Sequence, residues 1–91
     1  MNVVVVGSGI AGLTAALHAH ESGHEVTIVT KGDLGDGCTG LAQGGVAGIY
    51  GPRDSAAQHA DDTMDAGAGL SDPEAVGVLV AEGASRIAEL I

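Results

Sequence analysis

The sequence predicts an α/β fold built on a parallel βαβ unit, incomplete within 91 residues. Three observations carry that reading. Val3-Val4-Val5-Val6 is a β-branched run without polar alternation, the pattern of a parallel strand covered on both faces. Gly7-Ser8-Gly9 breaks the run, and a helix-period pattern follows it. A second β-branched run, Val26-Thr27-Ile28-Val29-Thr30, completes a unit of the size a βαβ motif needs, about 30 residues.

The first helix is expected over residues 10–22, with Ile10, Leu13, Ala16 and Leu17 on its apolar stripe. Gly23 falls where a helix commonly ends on a left-handed residue. The βαβ unit thus covers residues 3–30. Residues 32–51 are rich in glycine, at positions 32, 35, 37, 40, 44, 45, 48 and 51. A flexible linker is one reading of such a stretch. Leu34, Leu41, Val46, Ile49 and Tyr50 favour the other, a backbone pressed closely against something flat.

Two further helices are expected, over about 55–67 and 73–91. Ser55-Ala56-Ala57-Gln58 has the form of a capping box, and Gly67 is placed to end the helix it starts. Asp72-Pro73 supplies an N-cap followed by proline at the first helical position. Val76, Leu79, Val80, Ile87, Leu90 and Ile91 then form an apolar stripe, interrupted by Gly77 and Gly83 at about 1 kcal/mol each. The stripe is still running at Ile91 with no C-cap, as expected of part of a longer fold.

Composition removes several function classes. Hydrophobic residues make up 45% of the chain, but 15 of them are Ala, and Phe and Trp are absent. The large rings that dominate core burial are therefore missing, which again points to a fold completed by more chain or by a ligand. A net charge of −9 argues against nucleic acid and against anionic membrane surfaces. Residues 54–91 hold eight of the acids against Arg86 alone, the composition of a solvated acidic face or of a high-salt habitat. One cysteine excludes an internal disulfide framework and makes a reducing cytoplasm the default. No 18-residue apolar stretch is present, and Met1-Asn2 lacks the basic start of a signal peptide.

The chemistry-bearing motif is Gly7-x-Gly9-x-x-Gly12 at a strand-to-helix turn. Gly7 permits the tight turn, Gly9 lets a pyrophosphate approach the backbone, and Gly12 lets helix and strand pack closely. The free N–H groups and the dipole at the helix start favour an anion. A purely structural glycine turn is the bland alternative. The second strand of such a unit usually ends in an acid that takes the adenosine ribose. Here it ends Thr30-Lys31, with Asp33 only in the loop. Lys31 is either a ribose or phosphate contact or a solvated strand-end lysine, and on this ground alone a 2′-phosphorylated dinucleotide stays open.

His18, His20, His24 and His59 have no Cys or carboxylate at metal-ligand spacing, so no metal site is expected. His59, Asp62 and Thr63 share a helix face and read as polar packing or surface. Cys38 reads as an inert small side chain. No nucleophile is accompanied by a base, so no hydrolytic constellation is expected.

Three ordered motifs then carry a resemblance. They are the glycine turn from Gly7 to Leu13, the run Thr39-Gly40-Leu41-Ala42-Gln43-Gly44-Gly45, and Asp54-Ser55 with His59, Asp62-Thr63, the segment Ala66 to Leu70 and Asp72. Together they resemble the FAD-dependent flavoprotein family of succinate dehydrogenase and fumarate reductase, within it the L-aspartate oxidase branch. The resemblance covers nearly the whole chain and implies a Rossmann-like FAD-binding region. In it Gly7, Ser8, Gly9, Ile10, Ala11 and Gly12 form the pyrophosphate turn, with Ser8 to Ala11 in contact. Lys31 meets the adenosine side, where aspartate oxidases commonly carry Ser-Lys or Thr-Lys. Cys38, Thr39, Gly40, Leu41, Ala42, Gln43, Gly44 and Gly45 lie at the flavin end.

Further implications follow from the same resemblance. The activity implied is FAD-dependent oxidation of L-aspartate to iminoaspartate, which feeds quinolinate synthase in NAD biosynthesis. The runner-up is a fumarate reductase or succinate dehydrogenase-like flavoprotein, and an inactive nucleotide-binding fragment is a third reading. The arginines and histidine that hold the dicarboxylate substrate in the family lie in a capping domain and a helical region that these residues do not match, so no catalytic residue is assigned. In the dehydrogenase branch a histidine in the pattern His-Thr-x-x-Ala-x-Gly-Gly bonds covalently to the flavin. Cys38 stands at that position, as small residues do in the oxidases, and a non-covalent FAD with Cys38 as a packing residue is therefore expected.

Overall fold

A computed structural model describes residues 1–91, which divide into two compact units, Met1–Gly45 and Val46–Ile91. In the first unit, strand β1 spans Asn2–Val6, helix α1 spans Ile10–Glu21 and strand β2 spans Glu25–Val29. The strands pair in parallel, with Asn2 opposite Glu25 and Val6 opposite Val29. The unit is thus a parallel βαβ, as its two β-branched runs and intervening helix period require. Gly7 N–H donates to the Val29 carbonyl at 2.8 Å and carries the pairing one step beyond the ladder.

The β1 run is not covered on both faces as its unbroken valines suggested. Val3 and Val5 are half-buried, whereas Val4 and Val6 are 63% and 83% exposed. Within this unit α1 packs on one face only, which leaves the alternate side chains of both strands open. The α1 stripe also differs from the expectation. Ile10 and Leu17 are exposed, and Ala16 is the buried residue. The covered side of the helix runs through Gly12, Leu13, Ala16 and Ala19, with the close approach at Gly12. A Cβ on Gly12 would lie 2.1 Å from the Gly7 carbonyl oxygen and 3.4 Å from Val5 Cγ1. At the other end Ser22 caps the helix, and Gly23 turns the chain at φ +85°.

Thr30 lies just past β2, not within it. Residues 31–37 run in bends and turns, fastened by Asp36, whose Oδ2 accepts from the Asp33 N–H at 3.1 Å. A single helical turn, α2, follows at Cys38–Leu41. The sequence carries no signal for it, since Gly40 lies inside and no side chain caps it.

In the second unit helix α3 spans Ala56–Ala66 and packs on helix α4, Pro73–Glu89. The Ser55 hydroxyl accepts from the Gln58 N–H at 3.1 Å. The reciprocal half of the capping box is not made by Gln58: the Ser55 N–H donates to the Asp54 carboxylate at 2.9 Å instead. The shorter Asp side chain, one residue away, reaches that donor with less chain to order. Gly67 is the C-cap but keeps right-handed angles, and the left-handed turn is made by Ala68 at φ +50° and Gly69 at +87°. A Cβ on Gly67 would meet the Ser71 hydroxyl, which a rotation of that side chain relieves, leaving tight contacts at 3.1 Å to Ser71 Cβ and 3.3 Å to the Thr63 carbonyl oxygen.

Asp72 caps α4 through its carboxylate, which accepts from Glu74 N–H at 2.9 Å and Ala75 N–H at 3.5 Å. The core of this unit is Val76 and Val80. Leu79, Leu90 and Ile91 of the expected stripe are exposed, and the helix ends at Glu89 with Leu90 as its cap. The buried face is narrower than the apolar stripe because α3 is the only helix that covers it within the unit. Arg86 forms exposed ion pairs with Glu82 at 3.9 Å and Glu89 at 2.8 Å, each worth well under about 1 kcal/mol.

Two glycine-to-alanine changes separate close approach from helix propensity. Gly12→Ala forces backbone against backbone and is expected to destabilise by about 1–3 kcal/mol. Gly77→Ala, inside α4 with nothing within 4 Å of the added atom, is expected to stabilise by about 0.5–1 kcal/mol. Thermal melts of both variants check the contrast, and equal effects would contradict the geometry.

Candidate functional site

The candidate site is the turn between β1 and α1. Gly7 holds φ +111°, a conformation that side-chain-bearing residues rarely adopt, and a Cβ there would meet nothing within 4 Å. Gly9 is the N-cap of α1, in extended geometry and with no side chain to give the helix. The first N–H groups of α1 therefore lack a local acceptor. Acidic residues are also missing from its first turn, so the positive end of the helix dipole is uncompensated by its own sequence.

One acceptor arrives from far along the chain. Thr39, in α2, accepts from the Ile10 N–H at 3.1 Å through its Oγ1. The same oxygen lies 3.4 Å from where a Gly9 Cβ would stand. Gly40 approaches the loop after β2 so closely that a Cβ would lie 2.8 Å from the Gly35 carbonyl oxygen. Two of the residues anticipated at the flavin end are thus gathered against the glycine turn and the β2 loop.

The structure does not gather all of them. Ala42, Gln43, Gly44 and Gly45 are exposed, and Ala42 N–H reaches only the Thr39 carbonyl at 3.3 Å. Lys31 is exposed beyond β2. Cys38 is an exposed free thiol at the start of α2. His59 and Thr63 pair locally, with Thr63 Oγ1 donating to the His59 carbonyl at 2.7 Å, and Asp62 is exposed. Asp62 borders an open depression with Tyr50, Pro52, Arg53, Asp54 and Gln58, which holds none of the anticipated cofactor residues.

Sequence reasoning missed Thr30. Ser8 is 5% exposed, and its hydroxyl donates to Thr30 Oγ1 at 3.3 Å while accepting from the Gly35 N–H at 3.2 Å. The only sequence signal was a β-hydroxyl residue at the place where a ribose-binding acid is usual.

A glycine turn held at positive φ by Gly7 and closed to a Cβ at Gly12, backbone donors at a helix N-terminus and a parallel βαβ unit define a dinucleotide-binding segment. Residues 2–91 match the family described as FAD binding domain, and the chain belongs to that family. FAD is accordingly the dinucleotide the cradle must fit, and the turn provides the close backbone approach that its pyrophosphate requires. Among its relatives, an L-aspartate oxidase of Streptomyces coelicolor is 54% identical over 90 residues, and one of Synechocystis is 50% identical over 91. An L-aspartate oxidase of Mycobacterium leprae is 46% identical over 93 residues. Each alignment covers 99% of this chain but only 16–18% of the relative, so the chain spans about a sixth of their length.

The tertiary cap has a measurable consequence. Thr39→Val removes the acceptor from the Ile10 N–H without changing side-chain shape. In the cofactor-free state the Ile10 amide is expected to exchange its hydrogen about tenfold faster, the equivalent of one neutral hydrogen bond. An unchanged exchange rate would show that the bond carries no weight.

Proposed function

We propose that this chain is the dinucleotide-holding part of an FAD-dependent L-aspartate oxidase. The observation that carries the reading is the Gly7–Gly12 turn with Thr39 brought to its mouth, in a chain 46–54% identical to L-aspartate oxidases along nearly its whole length. The backbone N–H groups from Ser8 to Ala11 bind the pyrophosphate; Gly9 lets it approach, while Gly7 makes the turn and Gly12 lets helix and strand pack closely. Lys31 lies toward the adenosine end. The segment from Cys38 to Gly45 would line the flavin end of the cofactor.

The chemistry that bound FAD supplies is acceptance of a hydride from Cα of L-aspartate, giving iminoaspartate, with oxygen or fumarate as reoxidant. The residues here position and shield that group; the dicarboxylate is held by other parts of the full-length protein. Iminoaspartate is the substrate of quinolinate synthase, which places the enzyme in NAD biosynthesis. No helix is long and apolar enough to cross a membrane, and the single free cysteine suits a reducing cytoplasm.

The alternative is a fumarate reductase or succinate dehydrogenase-like flavoprotein. Cys38 speaks against it. The thiol occupies the position where that branch carries a flavin-linked histidine, and no cationic residue adjoins it in sequence. The FAD is therefore dissociable.

Two measurements on the full-length protein test this. Hydrogen peroxide is expected to form with L-aspartate and not with succinate, and the reverse preference supports the alternative. On acid precipitation of the holoprotein the yellow colour is expected in the supernatant. Flavin retained in the pellet would establish a covalent link and defeat the assignment.

A further inference from the structure

Thr30 follows β2 directly, where dinucleotide-binding folds place the carboxylate that takes the adenosine ribose. Its hydroxyl sits at the centre of a small network within the first unit. It receives the Ser8 hydroxyl at 3.3 Å, receives the Gly32 N–H at 3.4 Å and donates to the Gly32 carbonyl at 3.3 Å. Ser8 in turn accepts from the Gly35 N–H at 3.2 Å. The network therefore joins the glycine turn after β1 to the loop after β2.

A serine hydroxyl has one proton and two lone pairs. The Ser8 proton is committed to Thr30 and one lone pair to Gly35, inside a residue that is 5% exposed. The Ser8 side chain thus has no donor left for a phosphate oxygen, and the donors that face an anion at this turn are backbone N–H groups. The side chain acts as a cross-tie, and Thr30 sets its direction.

We infer that Thr30 is a positioning residue for the adenosine and pyrophosphate half of the dinucleotide, pinning the Gly32–Gly35 loop to the glycine turn through Ser8. This rests on the reading of the chain as FAD-binding. Valine at this position keeps the shape but removes the acceptor, so the buried Ser8 proton loses its partner and the loop its anchor. Serine restores the hydroxyl.

The experiment titrates full-length apoprotein with FAD and, separately, with ADP, which carries the adenosine and pyrophosphate but no flavin. Thr30→Val is expected to raise Kd for both by about tenfold, the weight of a buried hydrogen bond lost at the ligand's edge. Thr30→Ser is expected to stay within about twofold of the unaltered protein. The Gly35 amide, without ligand, is expected to exchange faster in Thr30→Val alone. Indifference of FAD and ADP affinity to Thr30→Val, or a Thr30→Ser variant as weak as Thr30→Val, overturns the inference. Should Thr30→Val not fold, Thr30→Ala and Ser8→Ala are combined: coupled losses support the cross-tie and additive ones overturn it. Unaltered protein that binds neither FAD nor ADP removes the FAD reading together with this one, whereas tight binding that ignores Thr30 removes this one alone.

Discussion

A Cβ atom on Gly12 would stand 2.1 Å from the carbonyl oxygen of Gly7, and much of the first unit follows from that closeness. Helix and strand meet backbone to backbone at their junction, so the helix leaves the sheet at its tightest possible spacing. The small residues Ala16 and Ala19 continue the same face. Gly7 then turns at a positive φ, still bonded to Val29 across the sheet. The first N–H groups of α1 are consequently held at the C-terminal edge of two parallel strands, where open α/β sheets bind their ligands. Volume added at Gly12 displaces those donors before it alters any contact with a ligand.

The three longer helices are capped in two ways, and the difference separates structure from site. Ser55 and Asp72 cap α3 and α4 from the adjoining residue with their own side chains. Those ends are closed locally and offer nothing to a partner. α1 begins on Gly9, which has no side chain, and its acceptor comes from Thr39, 29 positions beyond Ile10. A glycine at an N-cap forgoes stabilisation in order to leave the approach open.

Much of this was legible in the residues themselves. Val3 to Val6, the glycine turn and Val26 to Val29 admit few arrangements other than a parallel βαβ, because short crossovers and unalternating β-branched runs restrict the choice. Asp72-Pro73 states its cap outright. What could not be read was anything set by distance along the chain. The Thr39 and Thr30 bonds depend on where the glycine-rich loop lies, and glycines carry no periodicity from which to place it. The apolar stripes overstated burial for a related reason. Ile10, Leu17, Leu79 and Leu90 fit their helical faces in spacing, but how far a face is covered depends on the neighbouring layer and not on the helix.

The Thr39 hydroxyl also changes what occupancy of the α1 terminus means. An anion that reaches the Ile10 N–H finds a neutral oxygen already there, so its arrival is a ligand displacement and not the filling of a bare position. The number of hydrogen bonds to that donor is the same before and after. The gain is the difference between a charge-assisted bond and a neutral one, roughly a factor of two in strength. Water competes for the same exposed donor, so the hydroxyl reduces the net gain an anion makes there by holding the N–H paired while the site is empty.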